Sequence, residues 1–375
     1  MRREYAASNA TACVGKGNTM IDKLLHTREV KALKQLLAGC RAVVLTCHVR
    51  PDGDAIGSTL GLAHLLSGMG VRAKVVTPDQ PPRMLEFMPG YNDIVPFTRY
   101  QEYGRQLVAD ADLIIGCDFN QWSRLSELAD VVSAAKAHKV IIDHHENPDA
   151  DVDLLISYPD MSSTCELVFR LIAAMGYYDE MDLNCATALC TGIITDTRNL
   201  SVNTKHIDLY QILVELLEKG VDKSLILKET LDTKSEDALR LTSFALCERL
   251  TVYKEHRAAV VWLGRDDLSR YRYEKGDTEG LVNQALSLRG VVYAIFLRED
   301  EDEVRLSMRS IGNFPVSHIC SDHFSGGGHL QAAGGQFKGN VHECIAELER
   351  IMPEYDEEMK KAVDRLTAEG YILRL

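Results

Sequence analysis

Four apolar segments in the first two hundred residues each run into an aspartate or a histidine, and this pattern constrains the fold more than any other feature. RAVVLTC (41–47) leads to His48 and, through a Pro-Asp-Gly loop, to Asp52 and Asp54. DLIIGCD (112–118) ends on Asp118, and KVIIDHH (139–145) ends on Asp143, His144 and His145. These three runs are too short for helices and read as buried strands, as does VRAKVV (71–76). The fourth segment, DLNCATALCTGIITD (182–196), is different. Ala186, Leu189, Cys190, Ile193 and Ile194 recur at helical spacing, with Asp196 at the C-terminal end. Strands alternating with helices, such as the stretch reaching Met69, predict an α/β fold: a parallel sheet with helices on both faces. In such sheets ligands collect at the carboxyl ends of the strands.

At 375 residues the chain has room for two domains, and the pattern changes accordingly. Residues 206–255 read as helical throughout, broken at Gly220, and form a helical connector. AAVVWLG, VVYAIFLRE and EVRLSMRS then read as strands, with the acidic run EDEDE (299–303) as a solvated turn. FSGGGHLQAAGG (324–335) reads as a glycine-rich loop and VHECIAELERIM (341–352) as a covering helix. The prediction is a first domain over 20–205, the connector, a smaller α+β domain over 256–352, and a tail over 353–375 with one more helix and an apolar end. Residues 1–19 read as a flexible extension, with Met20 a candidate internal start.

Taken singly, an aspartate after a strand is usually a helix cap or turn residue. Four such segments in one chain are not so easily dismissed. Five residues of loop bring His48, Asp52 and Asp54 within reach of one point, and Gly53 permits the tight backbone. Asp52, Asp54, Asp118 and Asp196 with two imidazoles form a mainly oxygen donor set, which favours Mn²⁺ or Mg²⁺ over zinc. There are too many donors for one open metal site but enough for two metals sharing a carboxylate, an arrangement suited to in-line attack on phosphorus.

Composition narrows the partners. A net charge of −13 argues against a broad basic surface for long nucleic acid. The ten cysteines form no CxxC pair, so a zinc knuckle or thioredoxin-type site is not expected. Scattered thiols suit a reducing compartment. No apolar stretch matches a membrane span and the N-terminus lacks an apolar signal region, so the cytoplasm is expected and a membrane partner is not.

These segments together resemble the DHH phosphoesterase superfamily, named for its Asp-His-His triplet. SMRS and GGGHLQAAGG downstream are similar to its DHHA1 domain. The resemblance covers about residues 25–350, and within the superfamily the layout is most similar to nanoRNase/pAp phosphatases. It implies hydrolysis of short oligoribonucleotides to mononucleotides and of pAp to AMP, by a hydroxide activated between two divalent metals, Mn²⁺ first and Mg²⁺ second. The alternative it implies is a phosphodiesterase of linear or cyclic dinucleotides such as pApA. His48 and Asp52 would hold one metal, Asp54, His144 and Asp196 the other, with Asp118 bridging. His145 would face the scissile phosphate and Asp143 would orient the site. Arg309, His329 and the backbone of Gly326, Gly327 and Gly328 would hold substrate phosphates. The active site would lie in the interdomain cleft. The resemblance also implies a homodimer. One departure is visible: Ser325 stands where the family often has a fourth glycine.

Overall fold

The computed structural model describes residues 24–146, 148, 151–371 and 373. The expected N-terminal extension, the candidate start at Met20 and most of the apolar end lie outside the described residues. The chain forms two units, divided between Thr233 and Lys234.

The first unit is built on β1 (Ala42–Cys47), β2 (Arg72–Thr77), β3 (Val95–Pro96), β4 (Leu113–Cys117), β5 (His138–Asp143) and β6 (Leu154–Ser157). They form one sheet in the order β3-β2-β1-β4-β5-β6, and every pairing is parallel. Successive side chains point to opposite faces. Val43, Leu45 and Cys47 of β1 therefore enter one core while Val44 enters the other, and β4 and β5 divide in the same way. The larger core is closed by α1 (Thr27–Ala38), α2 (Gly53–Gly68), α5 (Thr164–Ala174), α6 (Leu183–Asp196) and α7 (Asp208–Glu218). The smaller one is closed by α3 (Gln101–Ala109) and α4 (Leu128–Ala134), and α8 (Lys223–Leu227) packs on the larger side. The sheet order reverses between β1 and β4, the switch point at which open α/β sheets bind ligands.

Register aligns the ends of these strands. Cys47 pairs with Cys117, Cys117 with Ile142, and Ile142 with Ile156. The residues that follow, His48, Asp118 and Asp143-His144-His145, leave the sheet at one level.

A glycine stripe sets the fourth aspartate beside them. Gly53, Gly57 and Gly61 recur every four residues on α2, one face of a helix. A Cβ on Gly57 would stand 2.6 Å from the Ala188 carbonyl of α6 and 2.9 Å from Cys165 Sγ. One on Gly53 would stand 2.2 Å from Thr195 Oγ1. The start of α2 thus lies against the end of α6, which brings Asp54 and Asp196 together.

The second unit has one mixed sheet, ordered β11-β12-β10-β9-β8-β7. Its strands are β7 (Leu250–Tyr253), β8 (Ala258–Leu263), β9 (Tyr293–Glu299), β10 (Val304–Ser310), β11 (Gly327–His329) and β12 (Ala332–Phe337). Only β8 and β9 pair in parallel. One face carries α12 (Val316–His323), α13 (Val341–Ile351) and α14 (Asp356–Ala368). On the other face α9 (Glu236–Glu248), α10 (Arg265–Arg270) and α11 (Leu281–Leu286) cover β7, β8 and β9.

Two sequence expectations are corrected. Residues 250–253 are a strand, not helix: Leu-Thr-Val-Tyr pairs antiparallel with β8, and pairing outweighs the helical run before it. Residues 324–335 are not a simple loop, because Gly327–His329 and the chain from Ala332 form a hairpin. A Cβ on Gly326 would stand 2.0 Å from the Gly334 carbonyl, so backbone approaches backbone there.

The contact between α2 and α6 predicts unequal effects of two similar substitutions. Gly57→Ala should destabilise by about 1–3 kcal/mol, since neither the carbonyl nor the helix can easily move away. Gly68→Ala, at the open end of the same helix, meets nothing within 4 Å and should be neutral or stabilising by up to ~1 kcal/mol. Urea unfolding of the two variants checks this, and equal midpoints would contradict the packing argument.

Candidate metal centre

The six predicted ligands come together at the carboxyl edge of the first sheet. His48, Asp52 and Asp118 form one donor group, and Asp54, His144 and Asp196 a second, each within 4.8 Å. Asp118 also groups with His144 and His145. His48 Nε2 lies 3.3 Å from Asp118 Oδ2 and 4.0 Å from Asp52 Oδ1. His144 Nε2 lies 3.8 Å from Asp54 Oδ2, 3.5 Å from Asp118 Oδ1 and 3.7 Å from Asp196 Oδ2.

Local structure explains each placement. Asp52 caps α2, its Oδ1 accepting from the Asp54 and Ala55 amides at 3.0 and 3.1 Å. His48 Nδ1 faces the Val49 carbonyl at 2.8 Å, which assigns the proton to Nδ1 and leaves Nε2 open as a ligand. Asp118 follows β4 with φ +66°, a left-handed backbone rare for a buried non-glycine residue. The Asp118 amide still donates to the Ile142 carbonyl at 3.0 Å, so the ladder continues while the chain turns. Asp143 is fully buried, and its Oδ1 takes the His145 ring at 2.8 Å and its Oδ2 the His145 amide at 3.1 Å. Asp143 therefore fixes the orientation of His145.

The residues fit divalent cations. Asp196 Oδ2 is buried and has no hydrogen-bond partner, although its neighbours are other carboxylates and a histidine. Such a group is costly unless a positive charge meets it. Carboxylate oxygens and imidazoles are also the donors that hard to borderline cations take.

Protonation reflects the same crowding. Burial, then the Asp118 charge, raises Asp54 to about 7, and burial with Asp54 beside it pushes Asp196 well above the carboxylate range. Burial alone would lower His48, but the Asp118 hydrogen bond and charge raise it to about 8. Burial opposes His144 as well, yet Asp118, Asp54 and Asp196 lift it to about 9. Asp118 is held at about 2, burial being overcome by the His48 hydrogen bond and the surrounding imidazoles.

The residues assigned to phosphate binding lie in the second unit. Arg309 pairs with Ala332, which pairs with His329, so the three line up across β10, β12 and β11 on one face. Ser307, Gly334 and Gly327 form the next row on that face. Arg309 is half-buried, with Nη1 on the Met308 carbonyl at 2.9 Å, and His329 is exposed. Gly327 and Gly328 belong to the edge strand β11 rather than to a loop, and because successive amides of a strand face opposite edges, only one of the two faces outward from the sheet. Gly326 precedes that strand, its amide on the Cys320 carbonyl at 3.0 Å.

Sequence reasoning missed the start of α5. The Thr164 and Cys165 amides donate to the two Asp54 oxygens at 2.6 and 2.9 Å, and the Thr164 hydroxyl donates to Asp118 Oδ1 at 3.0 Å. The signal was available in Ser163-x-x-Glu166, a helix-start signature.

Residues 42–193 match the model of the DHH family, N-terminal domain, and residues 257–361 match that of the DHHA1 domain. A bifunctional oligoribonuclease and PAP phosphatase, NrnA of Thermus thermophilus, is 30% identical over 320 residues, 85% of this chain and 91% of that one. The cyclic-di-AMP phosphodiesterase GdpP of Bacillus subtilis is 29% identical over 87% of this chain but 50% of its own length. The crystal structure of an exopolyphosphatase-related protein from Bacteroides fragilis superposes with a TM-score of 0.88 at 38% identity, covering 90% of this chain and 99% of that one.

Metal binding should release protons. Without metal, His48, raised to about 8, and His144, raised to about 9, are charged at pH 7, and the upward shifts of Asp54 and Asp196 favour their protonated forms, whereas ligation needs both imidazoles neutral and both carboxylates ionised. Apparent Mn²⁺ affinity should therefore rise from pH 6 to pH 9. Titration calorimetry in buffers of different ionisation enthalpy should read a net release of protons at pH 7 that shrinks toward pH 9. No release would contradict the donor assignment.

Proposed function

We propose that this chain, which belongs to the DHH family and hydrolyses phosphoester bonds, degrades short oligoribonucleotides to mononucleotides and dephosphorylates pAp to AMP. The observation that carries this reading is the two adjacent donor groups, His48-Asp52-Asp118 and Asp54-His144-Asp196, with Asp118 Oδ1 also 3.5 Å from His144 Nε2. The near full-length similarity to the Thermus oligoribonuclease and PAP phosphatase supports the choice of substrate.

His48 and Asp52 would hold one cation, Asp54, His144 and Asp196 the other, and Asp118 both. Two divalent cations, Mn²⁺ before Mg²⁺, supply an activated water and polarise the phosphoryl oxygens when bound. This chain's own residues do the remainder. His145, fixed by Asp143, faces the transferring group, where it stabilises charge or protonates the leaving oxygen. Arg309 binds a further phosphate with the fork of its guanidinium, beside His329 and the Gly326–Gly328 backbone. Two phosphate-binding points suit a substrate with more than one phosphate. They need none of the many basic contacts that long strands require. Free thiols and the absence, among the described residues, of any helix able to cross a membrane accord with work in the cytoplasm.

The similarity to a cyclic-di-AMP phosphodiesterase supports a second reading, hydrolysis of dinucleotides such as pApA. One assay separates the two. With Mn²⁺, labelled 2-mer and 5-mer RNA and pAp should be hydrolysed far faster than a 24-mer, and equal rates at every length would refute the short-substrate reading. Activity on pApA and its cyclic parent without activity on 5-mer or pAp would favour the second. Asp118→Ala should abolish every activity at once, at least 10³-fold in kcat/KM, and pAp hydrolysis surviving it would overturn the shared-ligand assignment.

A further inference from the structure

The segment Met161–Cys165 touches three of the six candidate ligands. His144 Nδ1 faces the Met161 carbonyl at 3.3 Å, Asp118 takes the Thr164 hydroxyl, and Asp54 takes the Thr164 and Cys165 amides. Those two amides are among the donors that a helix leaves unpaired in its first turn. The third, Glu166, goes to the capping Ser163 hydroxyl at 3.0 Å. The first turn of α5 is thus fully committed, most of it to one metal-binding carboxylate.

The segment is itself braced by charges without access to water. Glu166 Oε2 accepts from the Ser162 amide and hydroxyl at 2.8 and 2.6 Å. Its Oε1 accepts from Arg170 Nε at 2.9 Å, and Arg170 Nη1 reaches Asp208 of α7 at 2.7 Å. Glu166 and Arg170 are both 0% exposed. A buried ion pair seldom adds net stability over a well-packed apolar pair, so its value here is positional. It locks the residue preceding the cap to the next turn of the same helix and to a second helix.

We propose that Thr164 is a positioning residue for catalysis: its hydroxyl fixes the rotation of the Asp118 carboxylate, so that each oxygen is presented to a different metal. The brace through Glu166 and Arg170 holds Thr164 where it can do this. The inference rests on the two-metal reading above. Asp118 needs such a restraint because its neighbours His48 and His144 approach opposite oxygens, Oδ2 and Oδ1, and either could rotate the carboxylate toward itself.

Thr164→Val keeps the shape and both backbone donors and removes only the hydroxyl. Mn²⁺ affinity, measured by calorimetry without substrate, should fall about 10–100-fold, as hydrogen bonds to ligating carboxylates generally demand. With saturating Mn²⁺, kcat should fall by a similar factor and KM should stay within twofold. Thr164→Ser should restore both. Thermal midpoints in EDTA should agree within about 3 °C, separating positioning from folding. Paramagnetic resonance of the Mn²⁺-loaded proteins adds a signature: coupled ions in the parent and Thr164→Ser, isolated ions in Thr164→Val. An uncoupled parent would overturn the two-metal reading itself. A coupled parent with unchanged affinity and kcat in Thr164→Val would overturn only the role of Thr164. If the valine variant does not fold, Thr164→Ala against Thr164→Ser reads the same difference, and equal affinities in that pair would also refute the proposal.

Discussion

Four aspartates, two of them buried, must share a few ångströms, and the first unit is organised around making that tolerable. Like charges at such separations in a low dielectric strongly favour protonation. The raised Asp54 and Asp196 and the raised His48 and His144 are two sides of that strain. The fold answers with fixed donors: amides of α2 for Asp52, amides of α5 for Asp54, the Thr164 hydroxyl for Asp118. Asp196 Oδ2 is left without one. That buried, unpartnered oxygen beside other carboxylates fits cations that the chain does not itself supply.

Much of this was legible in the sequence because strand ends carry their own punctuation. Apolar runs stopping at His48, Asp118 and Asp143 implied parallel strands with a shared edge, and the register of Cys47, Cys117 and Ile142 is the physical form of that inference. Asp196 was legible through the helical spacing of Leu189, Ile193 and Ile194. The means of bringing it beside Asp54 was not read, although Gly53, Gly57 and Gly61 at four-residue intervals stated it. Glycines within a helix look like a weakness until the partner helix is known.

What stayed hidden is contact made between distant segments. Thr164 meets Asp118 across 46 residues, and Thr164 and Cys165 meet Asp54 across 110 and 111. No periodicity reports such contacts. The glycine-rich stretch failed for a related reason. Composition says that Gly326, Gly327 and Gly328 permit unusual backbone, but at Gly326 and Gly328 it is the close β12 backbone of a strand pair, not a loop, that leaves no room for a Cβ. The short strands β3 and β6 carry too few residues for a pattern, and β7 follows a helical run directly.

The net charge of −13 acquires a different meaning once the site is placed. Asp52, Asp54, Asp118 and Asp196 account for about four of those charges, and two divalent cations would offset them. The remainder is still far from the basic surface that a long polyanion needs for counterion release. Under the proposed function, each added phosphate of a longer strand would meet a chain of net negative charge rather than the many basic contacts that long strands need, so net charge would itself favour short substrates and salt should relax that preference.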